Sequence, residues 1–179
     1  MRRSLDDALL ALREQVKAWA NGAPPDVRVF VYPPEWEALM LARLPAWAEA
    51  RAREGLGVEL VDVGQALARI VREQDAADDL VTLERRAPNR VLDDLRVLGQ
   101  EAVLTAMARD LPEGMKCRVL TNAGSMAAFL SYSAITNEFH GAATRPPAPV
   151  VIAFPGDADE KSLNLLGLRP DSNYRVPRI

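Results

Sequence analysis

Three features of the sequence predict an α/β fold: a single three-layer domain with a mostly parallel sheet of about five strands. Between Val27 and Val63 a β-branched and aromatic stretch, an amphipathic stretch and a second β-branched stretch follow one another, which is the spacing of a parallel crossover. Val150-Val-Ile-Ala-Phe154 is an almost unbroken apolar run, as in a central strand covered on both faces. Between them, Gln65 to Asp110 contains no strand-like run and reads as a helical insertion between strands 2 and 3. The 179 residues, 49% apolar and 26% charged, suffice for one domain spanning 1–179. At that length, folding buries about 70% of the surface of the unfolded chain.

The elements follow in order. Ser4 with Asp7 three residues on is a helix start, and Leu5, Leu9, Leu12, Val16 and Trp19 form one apolar stripe before Asn21-Gly22. Val27 to Tyr32 is a strand closed by Pro33-Pro34. From Glu35 to Glu54, Trp36, Leu39, Met40, Leu44 and Trp47 have helical spacing, and Gly55 and Gly57 end the helix. Val58 to Val63 is the second strand. The insertion divides at Asp75 and at Pro88-Asn89 into three helices, with Asn89 the expected N-cap of the longest. Lys116 to Thr121 is a strand opening into Asn122-Ala-Gly-Ser125, and a short helix is expected from Ser125, with a second helical stretch through Phe139. A loop follows from Gly141 to Pro149. After the strand Val150–Phe154, Ser162 to Leu168 reads as a helical turn and Tyr174 to Ile179 as an extended segment at a sheet edge.

Composition excludes several classes of function. A single cysteine, Cys117, and a single histidine, His140, rule out a disulfide framework and a cysteine-based zinc site. The net charge is −3, and the nineteen arginines and three lysines never form a run longer than two. Direct nucleic-acid binding is therefore not expected, because phosphate recognition leaves a clustered basic footprint. No apolar stretch resembles a secretion signal or a membrane span, so a cytoplasmic protein without membrane contact is expected.

In an open α/β sheet, ligands bind beyond the carboxyl ends of the strands. Three such ends carry unusual residues: Tyr32-Pro-Pro-Glu35, Thr121-Asn-Ala-Gly-Ser125 and Phe154-Pro-Gly-Asp157. Thr121, Asn122, Gly124 and Ser125, with Pro155, Gly156 and Asp157, form the candidate ligand site, since a Gly-Ser pair after a strand can turn amide groups to an anion. The loop has neither the phosphate-reaching lysine nor the glycine triplet of the nucleotide-binding motifs. The structural reading is accordingly favoured, with Gly124 turning the chain and Ser125 capping a helix. His140 reads as a helix C-terminal residue rather than a general base. Asp6-Asp7, Asp78-Asp79 and Asp93-Asp94 read as solvated residues near helix starts, and Asp157 with Asp159 do not amount to a metal site. Ser125 and Ser133 lack the nucleophile elbow, and Cys117 reads as a small buried hydrophobe. No catalytic residue, cofactor or metal is assigned.

Taken together, Val29-Phe-Val-Tyr-Pro-Pro-Glu35, Val58-Glu-Leu-Val-Asp-Val63, Leu120-Thr-Asn-Ala-Gly-Ser125, Val151-Ile-Ala-Phe-Pro-Gly156, Ser162-Leu-Asn-Leu-Leu-Gly167 and Asn173-Tyr-Arg-Val-Pro-Arg178 resemble the BrxB family of BREX phage-exclusion systems. The carboxy-terminal blocks are the most specific. The chain departs from the family pattern at Ser131-Tyr132-Ser133, where Arg-x-His is expected, and at Tyr174, where a tyrosine pair is common. A reaction that needed that Arg and His could not be performed here. The resemblance implies a non-catalytic accessory or adaptor subunit of a phage-defence system, with the alkaline-phosphatase-like PglZ component as the expected partner and other BREX components as further ones. The expected contact surface includes Arg85, Arg86 and Arg90, whose bland reading is a solvated helix junction. The alternative is a nucleotide- or phosphate-binding protein using loops 121–125 and 155–157.

Overall fold

The computed structural model describes residues 4–127, 129–132, 135–136, 146–158, 162–164, 171–172 and 179. Helix α1 (Leu5–Ala20) starts on a full capping box, in which Ser4 Oγ accepts from the Asp7 amide and the Asp7 carboxylate accepts from the Ser4 amide. Its buried stripe is the predicted one with Ala8 added. Strand β1 (Val27–Tyr32) leads through a 3₁₀ turn (Pro34–Trp36) into α2 (Glu37–Arg53). That helix buries Met40, Leu44 and Ala48, whereas Leu39 is half exposed. Strand β2 (Gly57–Asp62) is followed at once by α3 (Val63–Glu73), because the Asp62 carboxylate caps the helix by accepting from the Gln65 amide at 3.0 Å. Val63 is thus the first helical residue rather than the end of the strand.

Helices α4 (Ala77–Arg86) and α5 (Pro88–Ala108) complete the insertion as expected. Asn89 is not the cap of α5. Pro88 occupies the first helical position, where its missing N–H costs nothing, and Ala87 precedes it. Strand β3 (Met115–Thr121) ends in a 3₁₀ turn (Ala123–Met126), and β4 (Val150–Pro155) completes the main sheet. Three short strands follow: β5 (Asp157–Ala158), β6 (Ser162–Asn164) and β7 (Asp171–Ser172).

The main sheet has four parallel strands in the order β1-β4-β3-β2, and β5-β6-β7 form a separate antiparallel sheet. Among the described residues the parallel sheet therefore has four strands where about five were expected, and Ser162 to Asn164 are strand where a helical turn was expected. The apolar content of that segment fits either structure, and only pairing with β5 and β7 decides between them. Of the expected final segment, 174–178 lies outside the described residues. The Ile179 amide donates to the Val29 carbonyl on β1, an edge strand.

The connection from β1 to β2 crosses the whole sheet, whereas β2 to β3 and β3 to β4 step back across it. Connections of one hand then require helices on opposite faces. Helices α1 and α2 pack on Phe30, Tyr32, Cys117, Val119, Val151 and Ala153, and α5 packs on Val29, Leu120, Ile152 and Phe154 from the other side. Strand alternation decides which residue faces which layer. Gly57 is required where β2 meets the turn before β3, since a Cβ there would lie 2.5 Å from the Gly114 carbonyl oxygen.

Among the described residues one charged side chain is wholly enclosed. Arg118 of β3 is register partner of Glu59 on β2, and its Nε donates to Glu59 Oε2 at 2.7 Å. The rest of the guanidinium closes the C-terminal end of α5, donating to the carbonyls of Ala106, Arg109 (3.0 Å) and Asp110 (2.9 Å). Glu59 also pairs with Arg109. Carbonyls that a helix end leaves without partners are thereby satisfied by a side chain from the sheet beneath.

Candidate functional site

Strand β1 sends its connection towards β2, while the chain leaving β4 turns to β5, which contacts β1. The carboxyl ends of β1 and β4 therefore lie side by side at the edge of the sheet where ligands bind in such folds. Thr121, Asn122, Gly124, Ser125, Pro155 and Gly156 all lie along this carboxyl edge, and Asp157 follows directly as the first residue of β5. His140 and Asp159 lie outside the described residues.

The polar groups at this edge are largely engaged with one another. Thr121 Oγ1 donates to the Val61 carbonyl at 3.4 Å, and Asn122 Nδ2 donates to Asp62 Oδ1 at 3.2 Å. Both the amide and the hydroxyl of Ser125 donate to the Asn122 carbonyl, at 3.1 and 2.7 Å. The turn is made by Asn122, at φ 60°, not by Gly124, and Ser125 lies inside the 3₁₀ turn rather than capping a helix. Gly124 is instead a close-approach residue, because a Cβ would come within 2.8 Å of Pro155 Cγ. The Gly156 amide donates to the Tyr32 carbonyl at 2.8 Å and holds the ends of β1 and β4 together.

Sequence reasoning missed one polar contact here, between Tyr32 and Glu37. The hydroxyl of Tyr32 donates to Glu37 Oε2, and the other carboxylate oxygen, Oε1, is buried without a hydrogen-bond partner among the described residues. Tyr132, whose hydroxyl donates to the Ala123 carbonyl at 3.0 Å, packs edge-on to Phe154. The available signal was the acidic residue entering a helix just after a strand that ends in Tyr-Pro-Pro.

Burial first, then the hydrogen bond and charge of Glu37, hold the Tyr32 phenol well above its ordinary value. Burial and the Glu37 charge do the same to Tyr132. Burial alone pushes the Cys117 thiol up to about 12. The folded state thus favours the protonated form of all three. Their stabilisation is complete below the unfolded values of 9.0 and 10.0 and is lost as pH rises above them. Stability is expected to fall above pH ~9 by about 1 kcal/mol per pH unit for each group in play. Thermal unfolding between pH 7 and 11 checks this, and Tyr32→Phe should flatten the decline.

Arg85, Arg86 and Arg90 are gathered elsewhere, at the turn between α4 and α5. All three are exposed and have no ion-pair partner among the described residues. The two helices form a hairpin in which α4 has no buried residue. Leu80, Leu83, Val97 and Leu98 line an apolar groove of about 430 Å³ between them. Among the described residues no group of His, Cys, Asp and Glu is arranged to hold a metal ion, and no helix is long and apolar enough to cross a membrane. The paired aspartates have other surroundings: Asp7 caps α1, Asp6 meets Arg43 at 2.9 Å, Asp78 and Asp79 open α4, and Asp93 meets Arg96 at 2.9 Å.

No curated protein and no solved structure matches the chain. A family model described as BREX protein BrxB matches residues 59–179, from within β2 to the last residue. The span includes the insertion, the 121–125 turn, β4 and the carboxy-terminal blocks, while Val29 to Glu35 lies before it. With well over half of its length matched, the chain belongs to the BrxB family and is a component of a BREX system.

Proposed function

We propose that the chain is a non-catalytic adaptor of its BREX system and that it binds the alkaline-phosphatase-like PglZ component through the α4–α5 hairpin. The observation that carries this reading is the hairpin itself. A step between the adjacent strands β2 and β3 needs one helix, and this connection spends three, of which α4 has no fully buried residue. A helix with a half-buried apolar stripe and a tip of three unpaired arginines has the apolar centre and charged rim of a protein interface. The carboxyl edge of the sheet supports the non-catalytic part of the reading, because the side chains of Thr121, Asn122 and Ser125 are spent on the Val61 carbonyl, the Asp62 carboxylate and the Asn122 carbonyl.

Co-expression of the tagged chain with the PglZ-like protein of the same operon, followed by affinity and size-exclusion chromatography, tests the proposal. Co-elution at a fixed ratio is expected. Replacing Arg85, Arg86 and Arg90 together by Gln should weaken it at least tenfold with little change in melting temperature, since all three are exposed. Separate elution of two folded proteins would remove PglZ as the partner.

The second reading is a nucleotide or phosphate ligand on loops 121–125 and 155–157. What favours a ligand there is the unpartnered Glu37 Oε1 beside Gly124. That atom is an acceptor, whereas a phosphate needs donors, so the same observation counts against this ligand class. A thermal-shift screen separates the readings: a nucleotide at 100 times its dissociation constant would add ~2.7 kcal/mol of stability, and an adaptor would show no shift.

A further inference from the structure

We propose that the groove between α4 and α5 is the seat of a single amphipathic helix from the partner, apolar on its inner face, basic along its middle and acidic at one end. The inference rests on the adaptor reading and adds the kind of element that docks.

Helix α3 already packs on α5 around Ile70 and Leu98, with Leu80 of α4 against them, and the shape that fills an apolar furrow between two antiparallel helices is a further helix. Leu80 and Leu83 of α4 and Leu98 of α5 form the floor, and Val97 stands at the rim with 67% of its surface exposed. Val81 (50%) and Leu92 (45%) are also exposed on these two helices but do not line the groove. Single exposed valines and leucines are common on protein surfaces, but Val97 lies on the groove that Leu80, Leu83 and Leu98 also line.

The charges say what kind of helix fits. Asp79 from α4 and Asp94 from α5 both line the groove. Beyond them, at the hairpin tip, stand Arg85, Arg86 and Arg90. A helix lying along the furrow therefore meets carboxylates in its middle and guanidinium groups at one end. Its complement carries apolar anchors at i, i+3, i+4 and i+7, lysine or arginine beside them, and glutamate or aspartate where it passes the tip. A uniformly acidic helix is repelled by the aspartates, and an extended acidic peptide would use the tip alone.

The test uses the whole chain and two synthetic 18-residue probes with identical leucines at i, i+3, i+4 and i+7, one with lysine and one with glutamate at the flanking positions. Binding is read by fluorescence anisotropy. The lysine probe is expected to bind at least tenfold tighter than the glutamate probe. Val97→Asp should weaken it at least tenfold. Since that substitution adds a negative charge, non-specific attraction of the basic probe would instead grow, so a loss reports apolar seating. Asp79→Lys with Asp94→Lys should reverse the preference between the probes. Equal binding of the two probes, or full binding to Val97→Asp, would overturn the proposal; a thermal melt confirms that each variant is folded. The Val97→Asp chain is also carried through the co-purification with the PglZ-like component. If co-purification persists while the probes fail to discriminate, the groove inference falls and the adaptor reading stands. If the probes behave as expected and no PglZ-like protein co-purifies even with the unaltered chain, the groove stands and the choice of partner falls.

Discussion

Replacing Arg118 by Met is expected to lower the stability of the fold by about 3–5 kcal/mol, the usual effect of removing one member of a buried ion pair. Two consequences add up in that substitution. Glu59 loses the guanidinium at 2.7 Å, and the carbonyls of Ala106, Arg109 and Asp110 lose a common donor at the end of α5. A buried acceptor left without a donor costs about 1–3 kcal/mol, so the helix end alone accounts for much of the loss. Arg118→Lys should lie between the two, since an ammonium keeps the charge opposite Glu59 but cannot span four acceptors. Arg109→Ala should cost under about 1 kcal/mol, because that side chain is far more exposed. Urea unfolding of the three variants checks the order. A loss below about 1 kcal/mol for Arg118→Met would show that α5 is terminated by something other than this arginine.

Ile152→Ala should be almost as damaging, at about 2–5 kcal/mol, the range for removing most of a large aliphatic side chain from a closed site. Ile152 is wholly enclosed on β4, which has a neighbour on either side in the sheet and helices over both faces. Its neighbours Val29 and Leu120 belong to the flanking strands and cannot move in to fill the space without disturbing the ladders. Ile152→Val should cost only about 0.5–1.5 kcal/mol. Val97→Ala, on an exposed helix face, should stay within about 0.5 kcal/mol. Denaturant midpoints at constant m-value distinguish these outcomes.

The elements governed by neighbouring residues could be read directly from the sequence. The Ser4–Asp7 box, the bounds of β1 and the three helices of the insertion depend on caps, prolines and periodicity within a few positions of themselves. What depended on distant partners could not be read. Nothing local places β4 between β1 and β3, or makes a strand of the leucine-containing 162–164. The candidate site shows the same division. Its loops were visible as unusual residues at strand ends, but not the roles within them: Asn122 rather than Gly124 makes the turn, and Gly124 makes a close approach to Pro155. The Tyr32–Glu37 contact and the enclosure of Arg118 went unseen because each joins two elements. For Arg118 a clue existed, since aligning Val58-Glu-Leu-Val with Cys117-Arg-Val-Leu sets opposite charges side by side.

The strand order also governs how the chain assembles during synthesis. β1 is made early, yet among the described residues its one strand partner in the parallel sheet is β4, and the register partner of Val27 is Val150. As the chain leaves the ribosome, β2 and β3 can pair around the helical insertion and α1 can form, but β1 has no ladder to join until β4 emerges. Arrival of β4 then unites the two halves at once, satisfying edges that would otherwise recruit strands from other chains. Such late, long-range closure makes for slow folding, and it places the greatest risk of aggregation in the interval before β4 is released.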